Sequence, residues 1–328
     1  MPTFCRHNRF LANCPICSRN EVEVVSSRRT STAKPAGGGA RTRTGSTTRG
    51  AGAVRVRQVA REQEDGFRSQ LIPGVKASAA AERLAEEIAF ARARLTLLAD
   101  DPPGLYAEVA RAGDREEALW LAFLIAYLSP LDAEDPFAGV RMAHSGWAGG
   151  ELPSLDDVPR GPRTAHDPAR GDATLVAYRA WSERAGSQDA AFAGEAAWSA
   201  QRRFARAFER LALPGLHRDA RFDLLVTLGT LGLHDMQAGS LQLGGADETT
   251  VAAKRVFGIA DTLLLERRAG ELAAASEVPL AALDLALWNW NRPPLAGAGG
   301  ERSRATLGVV GVEPDAETYA RVAAALGL

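Results

Sequence analysis

The sequence predicts a mainly α-helical protein, and three observations predict it. Apolar residues recur at helical spacing through most of residues 77–292, with Glu and Arg between them. Ala, Leu and Arg dominate, while aromatic residues make up only 6% of the chain, a balance that favours helices over sheets. No segment alternates apolar and polar residues as a half-buried strand would, and no internal repeat is visible. At 328 residues the chain is long enough for one large domain or two small ones with a sizeable core.

Taken in order, residues 1–20 hold every cysteine, at 5, 14 and 17. Residues 21–76 read as a basic, flexible, disordered linker, because 26–57 contain Ser, Thr, Gly, Ala and Arg with no acid and little to bury. An amphipathic helix follows over 81–99. A second is expected over 115–128, with Asp114 as its N-cap, Glu116 and Glu117 in its first turn, and Ser129-Pro130 as its stop. Residues 139–172 are rich in Gly, Pro and Asp and read as a long irregular insertion, a kind of loop that is usually functional or mobile. Further helices are expected over 174–187, 190–211, 219–231, 249–257, 262–276 and 280–289. Residues 293–328 form a C-terminal extension whose last helix docks on the body or on a partner.

Charge is unevenly spread. Residues 1–57 carry 11 Lys and Arg against two acids, whereas the remaining 271 residues carry 28 against 38. A basic arm on a mildly acidic body suits a polyanionic partner, the plain alternative being a solubilising tail. No apolar run reaches the length of a membrane span, and the apolar stretch at the start is broken by Cys, Arg, His and Asn, unlike a signal peptide. The expected compartment is the cytoplasm, with no membrane partner.

The first chemical motif is Cys5-x-His7-x6-Cys14-x2-Cys17. Zinc is satisfied by four such ligands in a tetrahedron, and a Cys-x2-Cys turn presents two thiolates to one ion. Three cysteines cannot all pair as disulfides, and a reducing cytoplasm disfavours pairing. With four protein ligands no position stays open for water, so the expected Zn2+ is structural. Phe4, Phe10 and Leu11 would fill the knuckle's small core, with Arg6, Arg9 and Arg19 facing outward. A redox or unliganded cysteine cluster is the alternative.

Four segments of the body, in order, resemble the helix-hairpin-helix DNA glycosylase superfamily. Residues 119–129 (LWLAFLIAYLS) are similar to a buried early helix ending in Leu-Ser, although Pro130-Leu131 follows where the family commonly has Gln. Residues 214–225 (PGLHRDARFDLL) resemble a Gly-initiated helix start. Residues 253–265 (AKRVFGIADTLLL) resemble the hairpin itself, with Phe257 for proline and Ala260 for the second glycine. Residues 278–288 (VPLAALDLALW) resemble the segment that carries the family's catalytic aspartate, here Asp284. A narrower resemblance is to the alpha-glutamyl/putrescinyl thymine pyrophosphorylase-like group, which implies a bulky modified pyrimidine as target and a roofing role for the insertion and Trp147.

The resemblance implies a helix-hairpin-helix glycosylase-like domain over 77–292 that flips a modified base from DNA and hydrolyses it. The setting would be base-excision repair or defence against phages with hypermodified genomes. The physical logic stands beside it. Outward-pointing hairpin amides bind phosphate without sequence preference, the neighbouring cleft takes a flipped base, and a carboxylate stabilises the cationic sugar. Asp284 is the only acid in 280–288, where a desolvated carboxylate is expected; a helix N-cap is its alternative role. The position at which lyase-competent relatives carry lysine is Thr262, so hydrolysis without strand nicking is expected. Lys254, Arg255 and Gly258 at the hairpin, with Arg218 and Arg221 beside the Pro214-Gly215 turn, are the expected DNA-binding residues. Two other readings stay open: a base-modifying enzyme on the same fold, and a non-enzymatic zinc-containing nucleic-acid adaptor, which the acidic body favours.

Arg202, Arg203, Arg206 and Arg210 share helical spacing and either track a phosphate strand or solvate an exposed face, the latter being commoner. Trp181, Trp198, Trp288 and Trp290 read as core. His144 and His166 read as loop residues rather than a second metal site, and His217 and His234 flank one helix and a possible cleft. No P-loop, dinucleotide fingerprint or serine nucleophile elbow is present.

Overall fold

A computed structural model describes residues 63–292 and 304–328. The four expected zinc ligands, Cys5, His7, Cys14 and Cys17, lie outside the described residues. Those described are mainly helical, with no strand among them: α1 Ser78–Asp100, α2 Leu105–Arg111, α3 Arg115–Leu128, α4 Ala138–Ala143, α5 Ala173–Ala185, α6 Gln188–Ala193, α7 Ala200–Arg210, α8 Arg218–Thr230, α9 Glu248–Phe257, α10 Thr262–Ala275, α11 Leu280–Asn291 and α12 Ala316–Leu326. Among the described residues, no helix is long and apolar enough to cross a membrane.

Two helices that are apolar all round form the centre, as such helices must. In α3 every residue from Ala118 to Leu128 is buried, and in α11 every residue from Ala282 to Trp290. The first packs chiefly on α8; the second is flanked by α1 and α9. Asp114 caps α3 by accepting from the Glu116 and Glu117 amides. At its other end the helix stops at Ser129, because Pro130 bars the preceding residue from helical geometry; Ser129 takes φ +59°.

The insertion has a structural duty. A helix end leaves carbonyls without donor partners, and residues 161–165 supply the missing donors. The Gly161 amide donates to Leu128 and Ser129 (both 3.0 Å), the Ala165 amide to Tyr127 (2.9 Å), and Thr164 Oγ1 to Tyr127 as well (3.0 Å). The other end of the insertion is tied to the first turn of α3, where Glu117 accepts from the Trp147 amide and contacts His144. Trp147 packs on Trp120 and Tyr178 beneath the Arg179 guanidinium, so it closes the core and does not roof a cleft. A Cβ on Gly161 would stand 1.9 Å from the Pro130 carbonyl oxygen and 2.6 Å from that of Ser129, and backbone cannot step aside cheaply. Gly161→Ala is therefore expected to cost ~2–3 kcal/mol, read as a lowered urea midpoint at unchanged slope.

Two expected boundaries shift. The helix expected over 190–211 is two, α6 and α7, separated where Gly194 takes φ +67° and Ser199 caps α7 through the Arg202 amide. The end of the expected linker belongs to the body: Ile72 and Val75 are buried, and the Gly74 amide donates to the Val256 carbonyl at 2.9 Å. The C-terminal extension docks on α1, with Arg304 on Glu87 and Val322 and Leu326 buried in the shared core.

Candidate functional site

Asp284 lies in the second turn of α11, where an apolar helix forces it inward; it is 1% exposed. It caps nothing, the N-cap being Pro279. Arg218, the first residue of α8, contacts one carboxylate oxygen, and Arg163 from the insertion meets the other at 2.8 Å. Arg163 also clasps Asp223 of α8 with two bonds, Nε to Oδ2 at 2.8 Å and a terminal nitrogen to Oδ1 at 2.9 Å. Arg218 reaches Asp219 at 3.0 Å, and Thr249 Oγ1 of α9 donates to the same carboxylate. Four separate parts of the chain thus meet in one buried ionic cluster.

The electrostatics follow from the count. Two guanidiniums cannot neutralise three carboxylates, and burial penalises the charge that is deepest. Burial pushes Asp284 up to about 6, against the pull of Arg218 and Arg163, with Asp219 and Asp223 adding to the rise. Asp219 is also desolvated, yet Arg163 and Arg218 together hold it below the ordinary aspartate value. Burial alone would lower the pKa values of Arg163 and Arg218, but the surrounding carboxylates raise both, so both stay charged.

Asp219 and Asp223 are each partly open, their side chains 14% and 16% exposed, whereas Asp284 is sealed. Asp223 lines a narrow pocket, with room for little more than a water molecule, together with Arg94, Tyr106, Ser129, Thr227 and Leu307. Arg94 is itself buried and gives its hydrogen bonds to the Thr306 and Leu307 carbonyls and the Tyr106 hydroxyl. The pocket therefore offers a fixed carboxylate, a guanidinium and the strained Ser129 turn side by side.

The hairpin lies elsewhere. Helix α9 ends on Gly258, which takes the left-handed φ of +66° that glycine tolerates best, and α10 starts after Asp261, whose side chain accepts from the Leu264 amide. The Ile259 and Ala260 amides donate to nothing among the described residues. Lys254, one turn before Gly258, is half-buried and has no carboxylate partner among the described residues. Arg255 is exposed, bonds Asn291 and lies over Trp290. Thr262 is exposed at the start of α10.

The sequence-predicted residues therefore separate into two groups. Lys254, Arg255 and Gly258 share the hairpin. Arg218 does not face solvent as expected: it is 8% exposed, serves as counter-ion to Asp284, and donates to the Leu241 carbonyl. Arg221 is folded back on Phe208, its ring contact 4.2 Å and one nitrogen bonded to the Phe208 carbonyl. His144 and His166 go to different partners, Glu117 and Tyr127, and no cluster of three metal-ligating side chains occurs among the described residues. Arg163 and Asp223 were not foreseen. Asp223 carried a usable signal, as the one acid in the apolar run 222–225; Arg163, amid Gly and Pro, carried none. No protein-family model matches the chain, and no curated protein or solved structure is significantly similar to it.

Proposed function

We propose that the chain is a DNA-binding protein that excises a modified base by hydrolysis, without lyase chemistry. The observation that carries the proposal is the α9–α10 hairpin: a left-handed glycine cap and, among the described residues, two amides with no internal acceptor and a lysine with no counter-ion beside them. Such a turn offers backbone donors and positive charge to a phosphate without reading sequence. A structural zinc on Cys5, His7, Cys14 and Cys17, together with the basic arm, adds affinity of the same kind.

The reacting carboxylate in this reading is Asp223, not Asp284. Asp284 is closed off by two guanidiniums and cannot touch a sugar; its role is to position Arg163, which in turn fixes Asp223 at the pocket. Once the pocket has widened to admit the sugar, Asp223 takes a proton from water as the oxygen attacks C1′. The N-glycosidic bond breaks with its electron pair leaving on the base, which solvent then protonates. Residue 262 is a threonine, so no Schiff base forms and the strand stays intact.

The test is an excision assay on duplexes carrying normal, damaged and phage-type modified bases, developed with alkali. Strand breaks that appear only after alkali, on one class of substrate and not with Asp223→Asn, are the expected result. The sealing of Asp284 favours a second reading, a nucleic-acid adaptor with no chemistry. Duplex bound by the hairpin with no abasic product on any substrate would select that reading and overturn the enzymatic one.

A further inference from the structure

We infer that α7 presents a second phosphate-contacting face, remote in sequence from the hairpin, that holds one strand of the same nucleic acid. The inference rests on the DNA-binding reading above and concerns which surface the strand follows. Helix α7 buries Phe204, Ala207 and Phe208 and turns Arg202, Arg206 and Arg210 to solvent. These three recur every fourth residue, so their backbone positions step about 6 Å along one side of the helix.

Two of the three are held in place without a carboxylate. The Arg202 and Arg210 guanidiniums both lie over the Trp198 ring, at 5.3 and 5.6 Å from its centroid, and neither has an acidic partner among the described residues. Two cations held on one indole repel each other, and an anion near both offsets that repulsion. The indole also fixes both side chains in advance, so little rotamer freedom remains to be lost when a phosphate arrives. Arg206 pairs with Glu209 at 2.8 Å, but both are half-exposed, and such a pair is weak enough for a phosphate to displace. The setting sharpens the point: outside the basic arm the chain carries ten more acids than bases, so a row of three arginines marks where a polyanion would be admitted.

The experiment measures binding of the full-length protein to a short random-sequence duplex DNA across a series of salt concentrations. Each phosphate contact contributes about 0.9 to the slope of log affinity against log salt. The variant with Arg202→Ala, Arg206→Ala and Arg210→Ala is expected to lose roughly 2–3 from that slope. The matching variant with lysine at all three positions is expected to keep it. The basic arm contributes equally to every protein compared, so the differences isolate α7. An unchanged slope in the alanine variant, or an equal loss in the lysine variant, overturns the inference. Lys254→Ala reports on the hairpin separately: a lower slope there with none in the α7 variant leaves the hairpin reading standing and removes this one. If the wild-type protein binds no duplex at all, both fall together.

Discussion

Replacing Arg163 by methionine is expected to cost ~3–5 kcal/mol of stability, the range seen when one partner of a buried ion pair is removed. The reason is geometric. One guanidinium makes two bonds to Asp223 and a third to Asp284, and its side chain is fully buried over the Trp288 ring. Methionine fills much of the volume but takes two bonds from Asp223 and one from Asp284, and at the sealed Asp284 water cannot replace the lost partner. For a body of this size the thermal midpoint should fall by on the order of 10 °C. Arg163→Lys should recover only part of the loss, because a single ammonium cannot grip Asp223 through two atoms and reach Asp284 as well. Urea melts of the three proteins provide the measurement. A methionine variant within about 1 kcal/mol of wild type would mean that solvent already screens the cluster, and Asp284 would then no longer be sealed.

The same cluster explains how far the sequence was readable. Local signals worked where the cause was local. Asp114 and the Ser129-Pro130 step bracket α3, and Asp247 and Asp261 precede α9 and α10 as cap residues should. The split between α6 and α7 was missed although its signs are local too, because the apolar period runs on past Gly194 and Ser199. Residues 63–76 looked like linker since so few of them are apolar, yet two of those few, Ile72 and Val75, are buried. Composition marked 139–172 as irregular but had no means to show that its amides serve the end of α3. Arg163 was invisible because its partners lie 60 and 121 residues away. Arg218 was misread for a related cause. A basic residue beside a turn suggests a surface, and only the packing of α8 on α11's carboxylate reveals that it is needed inside.

Acid should weaken the fold through His234, and the effect can be separated from that of Asp284. His234 follows α8, is 8% exposed, and rests against Phe192 with Nε2 3.5 Å from Asp189. Burial, with Arg115 and Arg203 nearby and against the pull of Asp189, pushes it down to about 4. The unfolded chain takes up that proton near pH 6.5, whereas the folded one resists it until about 4. Between those values the unfolded state binds more protons, so this residue's contribution is complete above pH 6.5 and is lost as pH falls towards 4. Across that gap the linkage is on the order of 3 kcal/mol. Asp284 acts with the opposite sign. Raised to about 6, it keeps in the folded state a proton that the unfolded chain has released, so its contribution declines as pH rises from about 4 to about 6. Wild-type stability over that interval is thus a difference between opposing slopes and can look flat. His234→Phe, which suits a site already lined by Phe192, removes the His234 slope and leaves those of Asp284 and of His166, which burial also lowers and which acts with the same sign as His234. The stability of wild type relative to this variant is expected to grow by roughly 3 kcal/mol between pH 4 and 6.5, because the remaining slopes are common to both proteins. Parallel profiles for the two proteins would mean that His234 titrates as it does in water and is not held neutral by its surroundings.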